Sequence, residues 1–293
     1  MTLRHENDPI GMLGVVGAGF MGTGIAETAA RAGVEVTVYE PEQAPLDRSR
    51  AQLSASTQTA VDRGKSSVAD REALLERVRW TSDLDGLADA PLVIEAVVED
   101  QDVKMDVFRR LDGVVRADAL LASNTSSIPI AELASATTRP ESVLGIHFFS
   151  PVPVMRLVEV VEALRTSAST MEAAHAFVER LGKRPIRTKD RAGFIVNMLL
   201  IPYLTAAVRM FEEGFASAED IDAGMHLGCA HPMGPLQLCD FIGLDVMYAI
   251  CRSLHDEFNR AEYAPPPLLK RMVASGMLGR KSGRGFYDYE EAA

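Results

Sequence analysis

Met12-Leu13-Gly14-Val15-Val16-Gly17-Ala18-Gly19-Phe20-Met21-Gly22 is a short apolar run that ends directly in a glycine turn. The run has the composition and length of a buried strand. Residues 21–31 are rich in alanine and small apolar side chains and stop at Ala32-Gly33, as a helix does. Residues 34–39 alternate valine with polar residues and read as a second strand. Strand, glycine turn, helix and strand in so short a span make one βαβ crossover. Within it Gly17-Ala18-Gly19-Phe20-Met21-Gly22 spells G-x-G-x-x-G. Gly17 permits the tight turn, Gly19 lets a pyrophosphate approach the backbone, and Gly22 lets the helix pack close to the strand. The helix N-terminus offers N–H groups and partial positive charge to phosphate. Glycine-rich hexapeptides also occur in plain tight turns, so the assignment rests on this context. A second check is Glu40, eighteen positions past Gly22 (40 − 22) at the end of the second strand. A carboxylate there accepts the ribose hydroxyls of NAD and repels the extra phosphate of NADP. FAD uses the same loop, so the choice of cofactor rests on the remaining chain.

Working outward, the spacing predicts helices over 46–63, 102–115 and 169–181. Strands are expected at 79–81, 92–97, 119–123, 143–149, 157–161 and 185–188. Alternating strands and helices give an α/β class with a mostly parallel sheet covered on both faces. After Arg191 the pattern becomes helical, with helices expected at 194–213, 219–227, 245–258 and 268–275, and no β-rich run before 285–289. The 293 residues therefore divide into 1–190, an α/β domain, and 191–293, an all-helical domain.

Thirty Lys and Arg against 41 Asp and Glu give a net charge of −11 and a pI near 5.1. That field repels phosphate backbones and anionic bilayers, which argues against nucleic acid and membranes as partners. The longest uncharged run, 192–208, contains Asn197 and Pro202 and falls short of the ~20 apolar residues of a spanning helix. Residues 1–9 are polar and charged, so no secretory signal is expected and the expected location is the cytoplasm. Cys229, Cys239 and Cys251 are too widely spaced for a CxxC site and are expected to be buried thiols in a reducing compartment. None of the six histidines forms an HxxxH or HxxEH pair, and no metal is expected.

His147 ends an apolar strand and Glu159 lies inside the next, with Pro151-Val152-Pro153 enforcing a bend between them. Two strands so joined can set the side chains opposite each other. A carboxylate on one imidazole nitrogen fixes the tautomer and leaves the other as a base, which hydride removal from a secondary alcohol requires. A core histidine and a solvent-facing glutamate would give the same string. Ser123-Asn124-Thr125-Ser126-Ser127 follows a strand at the sheet edge where such folds bind ligands, and it fits a helix cap equally well. Asn197, in an apolar run, fits either a hydrogen bond between helices or a substrate contact.

These residues resemble the 3-hydroxyacyl-CoA dehydrogenases, particularly the short-chain 3-hydroxybutyryl-CoA type. The resemblance rests on residues 17–22, Ala122-Ser123-Asn124-Thr125-Ser126-Ser127-Ile128 and His147-Phe148-Phe149-Ser150-Pro151-Val152-Pro153-Val154-Met155. It continues through Leu157-Val158-Glu159-Val160, Gly193-Phe194-Ile195-Val196-Asn197, Pro232-Met233-Gly234-Pro235 and Gly283-Arg284-Gly285-Phe286-Tyr287. It implies a Rossmann-type NAD-binding domain, a helical C-terminal domain that commonly forms a homodimer, and a cleft between them. It further implies His147 as catalytic base, Glu159 as its orienting partner, and Ser126 and Asn197 as donors near the reacting oxygen. NAD would be held by Gly17, Ala18, Gly19, Phe20, Met21, Gly22 and Glu40, with Glu99, Lys104, Ser126, Ser150 and Lys281 at further positions. Ser56 and Arg63 lie where the family contacts CoA, with Lys65 as an alternative phosphate partner. Three positions depart from the family: Ser150 for asparagine, Ala192 for proline and Met198 for arginine.

The activity implied is NAD-dependent interconversion of an (S)-3-hydroxyacyl-CoA and its 3-oxoacyl-CoA, with acetoacetyl-CoA the first substrate. The alternatives are a dehydrogenase of a free 3-hydroxy acid, whose relatives use a lysine, and a non-catalytic, crystallin-like dinucleotide-binding relative.

Overall fold

A computed structural model describes residues 10–289; the expectation about residues 1–9 lies outside them. The chain divides into two compact units between Asp190 and Arg191. In the first unit the elements are β1 (Met12–Val16), α1 (Phe20–Arg31), β2 (Glu35–Tyr39), α2 (Gln43–Asp62), α3 (Val68–Glu76), β3 (Val78–Thr81) and β4 (Leu92–Glu95). They continue as α4 (Gln101–Val114), β5 (Leu120–Ser123), α5 (Ile130–Ser135), β6 (Val143–Phe148), β7 (Leu157–Glu162), α6 (Ala168–Arg180) and β8 (Arg184–Lys189).

The eight strands form one sheet in the order β3-β2-β1-β4-β5-β6-β7-β8. Strands β1 to β6 are mutually parallel, as right-handed crossovers require, and the order reverses between β2 and β4 around β1. This is a Rossmann-type sheet. Its parallel strands are buried on both faces, so they read as apolar runs, and Leu13, Val15, Val36, Val38, Ile94 and Ile146 lie in one core with Ile25 and Ala29 of α1.

The reversal comes at β7, which pairs antiparallel with β6 and sets His147 opposite Glu159 and Gly145 opposite Val161. A side chain at 145 would put its Cβ 2.7 Å from that of Val161, so glycine is what lets β7 lie close. The last strand, β8, lies parallel to β7 at the sheet edge, with Arg184, Arg187 and Lys189 exposed along it.

The second unit is helical: α7 (Val196–Glu212), α8 (Ala218–Gly228), α9 (Pro235–Ile242), α10 (Leu244–Phe258) and α11 (Pro267–Ala274). Leu204, Val208, Leu236, Cys239, Met247 and Leu254 fill its core. Two buried carboxylates organise it. Asp222 accepts from the N–H groups of Leu236 (2.7 Å) and Gln237 (2.9 Å) at the start of α9 and from Tyr287 Oη (2.9 Å). Asp240 accepts from Phe286 N–H (2.9 Å), Tyr287 N–H (3.0 Å) and Tyr289 Oη (3.0 Å), which clamps the terminal segment.

Several expected elements differ in detail. Helix α2 begins at Gln43 and takes Pro45 into its first turn, where no N–H is needed. The long helix expected from 194 starts at Val196, because Gly193 (φ 77°) and Phe194 (φ 48°) hold left-handed backbone. The β-run at 285–289 reduces to the isolated bridges Gly279–Arg284 and Arg284–Asp288. Cys239 and Cys251 are buried thiols, whereas Cys229 is exposed in the turn after α8.

Three helices were not expected. Helix α3 carries a capping box, Ser67 with Asp70, that is visible in the sequence. Helix α9 opens on Pro235 at its first position. Helix α5 follows Pro129 with no local side-chain cap; Asp190, sixty positions away, accepts from Ile130 N–H (2.8 Å) and Ala131 N–H (2.7 Å). Asp190→Ala removes both acceptors and is expected to lower stability by about 1–2 kcal/mol, read as a lower urea midpoint, with a smaller loss for Asp190→Asn.

Candidate active site

The neighbouring strands β1, β4, β5 and β6 bring the glycine turn, residues 95–99, residues 123–127 and His147 to one carboxyl edge of the sheet. At the glycine turn, Gly17 has φ 106°, and a Cβ there would lie 2.6 Å from the carbonyl oxygen of Ala96. A Cβ on Gly22 would overlap the Gly17 carbonyl oxygen. Gly19 differs: its backbone is ordinary extended chain, and a Cβ there would meet nothing within 4 Å. Gly17 and Gly22 are therefore required by the turn itself, and the space beside Gly19 is open for a ligand. Helix α1 starts from Gly19 with no side-chain cap and no acidic residue in its first turn, so its first N–H groups suit an anion. Phe20 is 58% exposed beside that opening. Glu40 reaches back over the turn, and its Oε2 accepts from Ala18 N–H at 3.2 Å. These residues fit a dinucleotide.

His147 Nδ1 lies 2.8 Å from Glu159 Oε2, with Glu159 fully buried and the His147 side chain 8% exposed. A carboxylate only accepts, so Nδ1 carries the proton and base chemistry at this ring runs through Nε2. The Phe149 ring packs 4.6 Å from the imidazole, tilted by 59°. Asn124 Oδ1 accepts from Phe148 N–H at 2.9 Å, which ties the β5 loop to the strand that carries His147.

Ser126 sits on that loop, and its N–H donates to Glu99 Oε1 at 3.2 Å. The hydroxyls of Thr125 (2.5 Å) and Ser127 (2.8 Å) donate to the same oxygen. Burial alone would push the Glu99 carboxyl up; the Lys104 ammonium, the two hydroxyls and the Ser126 N–H outweigh it, and the group titrates below its usual value. Ser150 is exposed just past β6.

Lys104, expected as a direct cofactor contact, is only 1% exposed, and its Nζ lies 2.6 Å from Glu95 Oε1 and 3.3 Å from Glu99 Oε2. Side chains on a helix lean toward its N-terminus, and in the first turns of α4 that direction is inward, toward the end of β4. Glu95 was missed by reading the sequence. Its signal was a carboxylate within the apolar run 92–97, beside a strand ending in Ser123.

Ser56 is half-buried on α2, and Arg63 and Lys65 are exposed at its far end. No hydrogen bond or ion pair among the described residues joins these three to the strand-end cluster. In the helical unit, Asn197 is buried in the first turn of α7, and Lys281 Nζ pairs with the Asp245 carboxylate at 2.6 Å. Among the described residues no cluster of three or more His, Cys, Asp or Glu is placed to hold a metal, and no helix is long and apolar enough to cross a membrane.

Residues 12–191 match the NAD binding domain of 3-hydroxyacyl-CoA dehydrogenase, and residues 193–289 match its C-terminal domain. The chain is 52% identical over 285 residues to a 3-hydroxybutyryl-CoA dehydrogenase of Mycobacterium tuberculosis, covering 97% of this chain and all of that one. The crystal structure of M. tuberculosis FadB2 superposes with a TM-score of 0.95 at 52% identity, covering 96% of this chain and 100% of that one. That of (S)-3-hydroxybutyryl-CoA dehydrogenase PaaH1 from Ralstonia eutropha does so at 0.91 and 43% identity, covering 96% and 99%. The Rossmann-type sheet, the glycine turn with Glu40 and near-complete matches in both units place this chain in the 3-hydroxyacyl-CoA dehydrogenase family.

Proposed function

We propose that this protein is an NAD-dependent oxidoreductase that interconverts (S)-3-hydroxybutyryl-CoA and acetoacetyl-CoA. The observation that carries the reading is the buried His147–Glu159 contact of 2.8 Å at the same sheet edge as the glycine turn. NAD, when bound, accepts hydride from C3 of the hydroxyacyl group. Gly17, Ala18, Gly19, Phe20, Met21 and Gly22 would hold its pyrophosphate, and Glu40 would take the adenosine ribose. His147 Nε2 removes the hydroxyl proton during oxidation and returns it during reduction. Glu159 holds the ring by Nδ1–H and faces the positive charge that forms on proton uptake. Ser126 and Asn197 donate to the substrate oxygen. Glu99, Ser150 and Lys281 serve the cofactor, and Ser56, Arg63 and Lys65 serve the CoA moiety.

The protein is read as a homodimer, since Leu199, Phe215 and Leu227 of the helical unit are each more than 70% exposed and pairing would cover them. Its free thiols support a reducing compartment, and so the cytoplasm.

Loss of NADH absorbance with acetoacetyl-CoA tests the activity. Fast oxidation that needs the CoA ester is expected, with NADPH much slower because of Glu40. Turnover of free 3-hydroxybutyrate alone would reassign the substrate, and NADH binding without turnover of any ester would make the protein non-catalytic.

His147→Ala is expected to lower kcat by 10²–10⁴, roughly what a positioned acid–base group contributes. Glu159→Gln should lower kcat while leaving NADH affinity unchanged, and steady-state kinetics with fluorescence titration separate the two. Gly19→Ala should leave the thermal midpoint in place yet weaken NADH binding about tenfold or more, because its methyl group enters the open space; Gly22→Ala should cost about 1–3 kcal/mol of stability through overlap.

A further inference from the structure

Residues 149–156 form the bend that joins the strand holding His147 to the strand holding Glu159. Phe149, the first residue of the bend, packs on the imidazole, and exposed Ser150 follows it. The N–H groups of Val154 and Met155 both bond to the Pro151 carbonyl at 3.0 Å, so the bend closes on itself. The carbonyl oxygens of Val152 and Met155 take no part in that closure. Both accept from Lys183 Nζ, at 2.6 and 2.7 Å.

Lys183 stands just past α6, after left-handed backbone at Gly182 (φ 71°). Its side chain is half-buried, and burial pulls the ammonium below its usual value with no carboxylate among the described residues to offset that cost. Arg31, Arg156 and Arg180 line the same cavity of about 260 Å³, so like charge opposes the ammonium as well. A surface lysine keeps its hydration; this one exchanges it for two carbonyl oxygens of one bend. The bend is also held by α1. Val152 is 1% exposed, and a Cβ on Gly24 would lie 2.9 Å from the Val152 Cβ. One residue of the bend is thus fixed twice, by its side chain on the helix that starts at the glycine turn and by its carbonyl on Lys183.

We infer that Lys183 is a positioning residue for the acid–base pair: by holding the β6–β7 bend against α1, it sets His147 and Phe149 relative to the glycine turn. It acts through the bend. This rests on the reading of His147 as the base of a dehydrogenase, and one measurement below needs no turnover.

The test compares variants by thermal midpoint, NADH affinity, kcat with acetoacetyl-CoA, and the isotope effect on kcat with NADH deuterated at the transferred position. Lys183→Met keeps the stem and removes the donors, and it should lower the midpoint by only about 2–4 °C. NADH affinity should stay unchanged, whereas kcat should fall on the order of 10-fold to 10²-fold, the scale of a reacting group displaced by about 1 Å. The isotope effect should rise, because hydride transfer has slowed relative to product release. A smaller folded fraction would lower kcat and leave the isotope effect where it was. Lys183→Arg keeps charge and donors and should recover most of the rate. Gly24→Ala presses on Val152 from α1 and should reproduce the fall in kcat and the larger isotope effect. In NMR spectra the His147 Nδ1–H signal, assigned by its loss in His147→Ala, should broaden or shift in both Lys183→Met and Gly24→Ala.

An unchanged isotope effect in Lys183→Met would overturn the inference, as would a loss confined to KM or to NADH affinity. Should Lys183→Met not fold, Gly24→Ala decides alone: a raised isotope effect supports the inference and an unchanged one overturns it. If the unaltered protein binds NADH but turns over no ester, the proposed function fails and the Nδ1–H signal decides the role of Lys183, which stands if the signal changes in the variants and falls if it does not.

Discussion

The change of strand direction at β7 is the constraint on which the candidate site depends. In a parallel sheet, consecutive strands are joined by a crossover of a dozen or more residues, usually a helix. His147 and Glu159, twelve positions apart, face each other only because β6 and β7 run antiparallel. The pairing puts the imidazole opposite an acceptor that the sheet holds fully buried. It also leaves His147 at the carboxyl edge shared by the glycine turn, so one reversal sets the His147–Glu159 contact beside that turn. Gly145 belongs to the same constraint, since a larger side chain would push β7 away from its partner.

The edge is built in two ways. At the glycine turn the groups aimed at a ligand are backbone N–H groups, whose charge is fixed by the helix and does not titrate. Along β4 and β5 the groups are side chains, and they are bonded to one another before any ligand arrives. Glu99 stays ionised because a cation and three hydrogen bonds outweigh its burial. Asp190 shows the opposite balance: burial outweighs two backbone hydrogen bonds, and its carboxyl titrates above its usual value.

Much of this was legible in the sequence. The strand, glycine turn and helix at 12–31 are a local pattern, and Glu40 follows from strand length. The facing of His147 and Glu159 could be anticipated from the prolines between them. What escaped reading depended on distant partners. Helix α5 is capped by Asp190, sixty positions away, so nothing near Ile130 announces it. Glu95 looked like an ordinary strand residue because its partner, Lys104, was expected at the cofactor and not in the core. Helix α3 escaped as well, although its capping box, Ser67 with Asp70, is a local signal. The start of α7 was set by left-handed backbone at Gly193 and Phe194, and apolar periodicity is blind to that.

Strand β8 closes the sheet with Arg184, Pro185, Ile186, Arg187, Thr188 and Lys189. Arg187 and Lys189 share the Glu162 carboxylate on the neighbouring strand, at 2.8 and 2.7 Å, so one anion answers two cations. On a chain of net charge −11 this rim is a local excess of positive charge. A second copy approaching edge to edge would bring like charges together beside a proline, a residue that cannot donate to a ladder. Like charge and a missing donor thereby disfavour growth of the sheet from chain to chain at this end.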